Sequence, residues 1–339
     1  MSFVWKRGHT VRAVVAGLVL VGGGVGAAAA LGERAPTPVA AGSPSSTTSA
    51  SASPTPTTSP TTTPKPTDPL TGGKLVSHGV IAVKVENIGL ARPQVGLHQA
   101  DIVFAEEVEG AQTRLIAVYH SSFPTRLGPV RSARSTDVQL LPLFGRPGLV
   151  YSGANSRVQR KIDMASIVPI SRSTRDNRRS APHNVFVNLA NLADREKVGK
   201  ARSIGWTFGA DPTQQGAKAS SAKSKVGHDT FAFSYQGGRY TVRWNGKTYV
   251  DGDSGIHTLT DNVVIMNVHN HADGNRDVLG SPSVQSDTVG RGKVTVYRDG
   301  AKIAGRWQRS KVSGPLELLD SSGSPIALKP GHTWVTLQG

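Results

Sequence analysis

Apolar residues come in short bursts along most of the chain. Over residues 74–209 the runs GVIAVKV, DIVFAEEV, RLIAVYH, GLVYSGA and NVFVN, rich in Val, Ile, Tyr and Phe, are separated by polar turns. Bursts of that length and composition predict strands. Two segments carry a helical pattern. STDVQLLPLF opens with good N-cap residues, and Pro142 is expected to end or kink it. NLANLADREKVGK places Leu189, Leu192 and Ala193 at helical spacing. Residues 74–210 therefore read as a mixed α/β (α+β) domain. From Asp229 onward the bursts DTFAFSY, RYTVRWNGKTYV, DNVVIMNVH, KVTVYRDGAKIAGRWQRS, LELLDSSGSPIAL and HTWVTLQ alternate with turns, and Asn245-Gly246 and Asp299-Gly300 are strong hairpin signals. Residues 229–339 read as a small all-β domain, a barrel or a sandwich. The stretch between the halves, residues 211–228, is poor in apolar side chains and reads as a linker or loop.

The start of the chain follows different patterns. Lys6, Arg7 and Arg12 precede an apolar run from Ala13 to Leu31, with the positive charge on the side that stays cytoplasmic. The run is about as long as a membrane span, although its second half is Gly and Ala. Two outcomes stay open for residues 1–34: a signal peptide cut near Ala28-Ala29-Ala30, or a retained N-terminal membrane anchor. Both place the remainder outside the cytoplasm, secreted or held at the outer face of the plasma membrane. Residues 35–73 are built almost wholly from Pro, Thr, Ser, Ala and Gly and read as a disordered, semi-stiff tether.

Composition narrows the chemistry. A chain of 339 residues allows about two domains. The absence of cysteine excludes disulfides, thiolate metal sites, thiol catalysis and a lipid-modified cysteine. The net charge is +16, and residues 1–73 hold only five of the basic and two of the acidic residues, leaving 34 against 21 in the rest. That excess favours an anionic partner such as a wall polymer, a lipid-linked phosphate or a glycan. Nucleic acid is not expected, because aromatic content is low and neither a helix-turn-helix nor an RNA-binding pattern occurs.

GPVRSARSTD, residues 128–137, lies between RLIAVYH and VQLLPLF. The chain turns at Gly128-Pro129 and starts a helix near Ser135 or Thr136, so backbone N–H groups, Arg131 and Arg134 would face one space suited to phosphate or carboxylate. The alternative is that both arginines pair with Asp101, Glu106, Glu107, Glu109 or Asp137 and brace the fold. A second cluster, Arg172, Arg175, Arg178 and Arg179, has few carboxylates nearby in sequence. It ends in Ala181-Pro182-His183-Asn184, which would stand at a strand mouth, where a proton-transfer group and an amide are useful.

The run VKVENIGLARPQVGLHQADIVFAEEVEGAQTRLIAVYHS, followed by GPVRSARSTD and APHN, resembles the YerB-like family of exported bacterial lipoproteins, a family of unknown function. The resemblance covers Val83 to Asn188, and weaker similarity runs from VTVYRDGAKIAGRWQRS to PGHTWVTL. It implies a two-part exported protein with no established reaction. It marks Glu86, Asn87, Arg92, Pro93, Asp101, Glu106, Glu109, Gly110, Thr113, Arg114, Gly128, Arg131, Ser132, Arg134, Pro182, His183 and Asn184 as signature positions. Without cysteine this chain departs from the lipidated pattern, so attachment would fall to the N-terminal segment. The order of strand, hairpin, TRL strand and Arg-bearing turn also loosely resembles the LytR-CpsA-Psr phosphotransferases, which move polyprenyl-pyrophosphate-linked polymers onto the wall.

Two functional readings follow. In the first, Arg92, Arg114, Arg131, Ser132, Arg134, Arg175, Arg178, Arg179 and Asn184 bind an anionic envelope ligand. In the second, an envelope phosphotransferase or phosphodiester hydrolase uses the arginines against developing phosphate charge, Glu106, Glu109, Asp137 or His183 as base, and magnesium through Asp101 or Glu109. Other features weigh less. His269 and His271, with Asp273 and Asp277 nearby, offer a metal pair or simply solvent-facing histidines. Ser132 with His183 as base lacks the G-x-S-x-G elbow. Trp206, Trp244, Trp307 and Trp334 suit sugar stacking or, more commonly, a core.

Overall fold

The structure is a computed structural model that describes residues 67–192, 196–210, 216–277 and 280–339. The segment read as signal peptide or anchor, and the tether as far as residue 66, lie outside the described residues. Residues 63–339 form a unit of their own, and among the described residues no helix is long and apolar enough to cross a membrane.

Strands dominate. The first half supplies β1 (Ile81–Asn87), β2 (Ile102–Glu107), β3 (Thr113–Tyr119), α1 (Ser135–Leu140), β4 (Gly148–Val150), α2 (Ser156–Met164) and β5 (Val168–Ile170). The second supplies β6 (Ser221–Val226), β7 (Asp229–Gln236), β8 (Arg239–Trp244), β9 (Asn262–Asn267), β10 (Asn270–Arg276) and β11 (Pro282–Ser286). It continues with β12 (Gly290–Arg298), β13 (Ala301–Arg309), β14 (Glu317–Asp320) and β15 (Thr333–Gln338).

The main sheet runs β14-β13-β12-β9-β15-β2-β3-β1-β4-β5. β15 lies parallel between β9 and β2, with Thr333 aligned on both Asn262 and Ile102. The strands of the second half therefore do not close a barrel of their own; β9 and β12 to β15 extend the sheet begun by the first half. A sandwich does form, but across the halves. β6, β7 and β8 make a second sheet whose Phe231, Phe233, Tyr240 and Val242 pack on Val83, Leu115 and Trp334. On the opposite face α1, the 3₁₀ turn after it and α2 bring Leu140, Phe144, Val158 and Ile162 against Phe104, Ile116 and Val335. Because the sheet is covered on both faces, β1 is buried along its full length, and its Lys84, Glu86 and Asn87 must find polar partners inside.

Local chemistry accounts for most elements. Asn245 and Gly246 have φ of +47° and +79°, and Asp299 and Gly300 have +49° and +72°, the left-handed pairs that type I′ hairpins require. α1 passes at Leu141 into a 3₁₀ turn holding Pro142, as the missing N–H of proline dictates. Other expectations change. α2 was not foreseen, because only Val158 and Ile162 point inward; Asn155 Oδ1 caps it by accepting Val158 N–H at 2.8 Å. The helix expected in NLANLADREKVGK is absent among the described residues there. Leu189 N–H is taken by Pro124 O at 3.0 Å, and Asn188 Oδ1 accepts Asn191 N–H at 3.0 Å, an Asx turn that competes with a helix.

Two stretches read as linker are partly folded. β6 lies within residues 211–228 and buries Ala222, Ser224 and Val226 in strict alternation with exposed Ser221, Lys223 and Lys225. At the end of the tether, Asp68 accepts the N–H groups of Leu70 and Thr71 at 3.0 Å each and meets His120 Nε2 at 2.9 Å, with Asp68, Leu70 and His120 all fully buried. The fold thus starts inside the Pro/Thr/Ser-rich composition. Trp206, Trp244, Trp307 and Trp334 are all buried, which leaves them to the core rather than to sugars.

Candidate functional site

Glu86 on β1, Arg114 on β3 and Glu106 on β2 form one cross-strand rung. Side-chain alternation puts Lys84 on the same face, one row along. The GPVRSAR segment runs beside the end of β1: Glu86 N–H donates to Pro129 O at 2.9 Å, Arg131 N–H to Lys84 O at 2.8 Å, and Val130 N–H to Val185 O at 2.7 Å. This pairing carries Arg131, Arg134 and the start of α1 over the charged rung.

Each cation there meets a carboxylate. Lys84 Nζ contacts Glu106 and lies 2.9 and 2.8 Å from the two oxygens of Asp137, all three residues being fully buried. Asp137 Oδ2 also accepts Arg134 N–H at 2.6 Å and so caps α1. Arg134 grips both oxygens of Glu109, Nη2 at 2.8 Å. Arg114 Nη2 lies 3.7 Å from Glu109, and its Nη1 donates to Ser132 O at 3.1 Å. Arg131 Nε stands 2.9 Å from Glu86 Oε1, and His183 Nδ1 donates to Glu86 Oε2 at 2.8 Å. Lys84, Arg114, Arg131 and Arg134 are balanced by Glu86, Glu106, Glu109 and Asp137.

Burial sets the ionisation. It lifts the Glu106 carboxyl to about 6, with Lys84 opposing the rise and Asp137 adding to it. Burial also pushes Glu109 up, but the hydrogen bonds and charge of Arg134 outweigh it and hold the carboxyl below its usual range. The Arg114 guanidinium falls to about 10, through burial first and then the charge of Arg134.

Beside this network opens a cleft of about 560 Å³ lined by Leu90, Arg92, Pro93, Arg179, Ser180, Ala181 and His183. The Arg92 guanidinium lies over Tyr249 at 4.4 Å and Trp244 at 5.2 Å, and its Nη2 donates to Thr248 O at 2.9 Å. Its buried Nη1 has no hydrogen-bond partner among the described residues. Arg179 donates to Ala91 O at 3.1 Å and Pro93 O at 2.5 Å, against the ring of Phe186. Neither guanidinium forms an ion pair among the described residues, nor does Arg175, which donates to Asn184 Oδ1 at 3.0 Å.

The second arginine cluster therefore divides. Arg172 and Arg178 are largely exposed and pair with Glu196 at 2.7 Å and Asp176 at 3.0 Å, while Arg175 and Arg179 turn toward polar backbone and amide groups. Of the candidate bases, His183 reaches the cleft; Glu106 and Asp137 sit beneath the surface on Lys84, and Glu109 is occupied by Arg134. Asp101 accepts the N–H groups of His120 and Ser121 at 2.6 and 2.8 Å, just before β2. Glu109 follows the far end of that strand, about 20 Å away at 3.3 Å per residue, too far to share an ion with Asp101. The sequence reading missed Lys84: a charged residue inside an apolar burst suggests an outward face, and a strand covered on both sides has none. The near-continuous apolar run GVIAVKV, the pattern of a strand buried on both faces, was the available signal.

Two family descriptions match the chain: the N-terminal domain of a protein of unknown function (DUF3048) over residues 68–203, and the DUF3048 C-terminal domain over residues 219–335. YerB of Bacillus subtilis (strain 168), whose designation as a lipoprotein is provisional, is 26% identical over 298 residues, 79% of this chain and 85% of the relative. The crystal structure of YerB from Bacillus subtilis aligns with a TM-score of 0.68 at 24% sequence identity, covering 80% of this chain and 96% of that one. At that identity the structural likeness speaks for the fold.

Proposed function

The chain belongs to the YerB-like DUF3048 family of unknown function, and from that premise we propose that it binds an anionic, phosphorylated or carboxylated, ligand of the cell envelope in the cleft of Arg92, Arg179 and His183. One observation carries the reading: two guanidiniums without carboxylate partners among the described residues line a single cleft, whereas Arg114, Arg131 and Arg134 are neutralised next door. Charge-assisted and bidentate hydrogen bonds make arginine the natural holder of phosphate or carboxylate. The basic excess of the folded part works in the same direction. An extracytoplasmic place, secreted or anchored through the N-terminal segment, is in keeping with the provisional lipoprotein designation of the relative.

His183 favours an enzymatic alternative. Its Nδ1 is engaged by Glu86, an arrangement that orients an imidazole and leaves Nε2 available at the cleft as a general base. A phosphotransferase or phosphodiester hydrolase would then draw on Arg92 and Arg179 for charge stabilisation.

The test is a thermal-shift series with phosphate, pyrophosphate, a polyprenyl pyrophosphate analogue and wall fragments. A ligand at a hundred times its Kd stabilises by about 2.7 kcal/mol, roughly 5–10 °C for a unit of this size. The shift should vanish in Arg179→Ala and Arg92→Ala and survive in exposed Arg178→Ala. A shift that persists in both cleft variants, or none with any compound, refutes the cleft. Turnover of a phosphodiester that is lost in His183→Gln with binding retained would select the enzymatic alternative.

A further inference from the structure

We infer that His269, His271 and Asp287 form a binding site for a divalent transition-metal ion, with zinc as the reference ion. His269 precedes β10 and His271 lies within it, so their side chains leave the same face two residues apart. Asp287 directly follows β11, and β10 pairs with β11 so that Asn270 faces Ser286. Asp287 N–H donates to His269 O at 2.9 Å, which fixes the carboxylate opposite the two rings. The imidazoles stack with centroids 5.5 Å apart and planes 21° from parallel. One nitrogen of each ring and a carboxylate oxygen all fall within 4.8 Å of one another.

The spacing suits a metal. His269 Nδ1 lies 3.2 Å from Asp287 Oδ2, and His271 Nε2 lies 3.2 Å from Oδ1. Two ligand atoms each about 2.1 Å from a tetrahedral zinc stand about 3.4 Å apart. Both nitrogen–oxygen distances lie within a few tenths of an ångström of that spacing, and the three ligand atoms fall within 4.8 Å of one another.

A second observation is independent of spacing. His271 Nδ1 is 3.1 Å from Ala272 O, a contact that suits the tautomer with its hydrogen on Nδ1 and Nε2 turned to the cluster as a ligand atom. That nitrogen faces a carboxylate oxygen at 3.2 Å. A backbone carbonyl on the remote ring nitrogen is the outer partner that metal-bound histidines use to fix their tautomer. Gln285 Nε2, 3.4 Å from Oδ1, helps hold the carboxylate.

Two imidazoles and a carboxylate suit zinc and its neighbours in the transition series. His269 is 75% exposed and His271 39%, so at least one coordination position opens to water or to an anion. Asp273 and Asp277, the acids nearest in sequence, are directed elsewhere: Asp273 accepts Ser135 Oγ–H at 2.6 Å, and Asp277 accepts Ser281 N–H at 2.8 Å. The hairpin also bonds to α1 through Ser286 N–H and Thr136 Oγ at 3.0 Å, so an ion here would fasten a docked element.

The test is calorimetric titration of the full-length, tag-free, metal-stripped chain with zinc chloride at pH 7.5. One site per chain is expected. His271→Ala and Asp287→Asn should each weaken it at least tenfold, as loss of even an outer-shell partner costs about 10–100-fold. Unchanged melting of the metal-free variants separates loss of a ligand from loss of the fold. Absence of zinc binding, or equal affinity in the His269→Ala/His271→Ala double variant, overturns the assignment.

Discussion

Replacing Lys84 with Met tests whether the charged network braces the fold. Methionine keeps the volume and removes the cation from two fully buried carboxylates. Burial already raises Glu106 from 4.5 to about 6, equivalent to about 2 kcal/mol against ionisation in the folded state. Without the ammonium beside Asp137, Glu106 must stay protonated. At pH 7.5, three pH units above 4.5, that costs about 4 kcal/mol relative to the unfolded chain, so Glu106 accounts for about 2 kcal/mol of new instability. Asp137 loses hydrogen bonds from a charged donor, about 1.5–3 kcal/mol more. The expected loss is about 3–5 kcal/mol, the range typical of a broken buried ion pair. Urea unfolding at pH 7.5 and pH 6.0 measures it. The deficit should narrow by about 1–2 kcal/mol at pH 6.0, where Glu106 of the folded parent is itself about half protonated. A loss below about 1 kcal/mol at pH 7.5, or a deficit that ignores pH, would refute the reasoning.

Glu106→Gln should invert part of the pH profile. With its carboxyl raised, the folded parent binds more protons than the unfolded chain between pH 4.5 and 6, so the stability from this group is complete below 4.5 and is lost as pH rises through about 6. The stability of the parent relative to Glu106→Gln should fall by about 2 kcal/mol across that window; a flat difference in urea midpoints would show that Glu106 titrates normally. Arg134→Ala leaves Glu109 buried without its bidentate partner and should cost about 2–3 kcal/mol in the same assay. Arg178→Ala, whose ion pair with Asp176 is exposed, should leave the melting temperature unchanged.

The sequence announces what local chemistry decides. Asn245-Gly246 and Asp299-Gly300 name their turns because only left-handed residues close such hairpins, and STDVQLLPLF states its own start and stop. The long motifs from Val83 to Asn188 carried the family. What stayed hidden depends on partners far along the chain. β6 is built from Ser, Ala and Lys, and only the second sheet gives its Ala222 and Val226 a core to enter. Arg131 and Arg134 read either as an anion pocket or as braces, and Glu86 and Glu109 reach them from β1 and the turn after β2. The arginines left at a cleft, Arg92 and Arg179, stand 87 positions apart in the chain and meet only in the fold. Asp287 lies 16 positions from His271, beyond any H-x-H pattern.

The position of β15 bears on how the molecule comes into being. Its parallel partners, β2 and β9, are made long before it, and neither has its other neighbour on that side until Thr333–Gln338 arrives. During synthesis both strands therefore carry an open row of amides and carbonyls, each able to recruit a foreign strand. The central sheet closes only when Thr333–Gln338 has joined it, so assembly is governed by contacts of high sequence separation, a slow and aggregation-exposed route. A chain shortened by those few residues would not be a slightly smaller version of this protein; it would be two half-sheets with the seam left open.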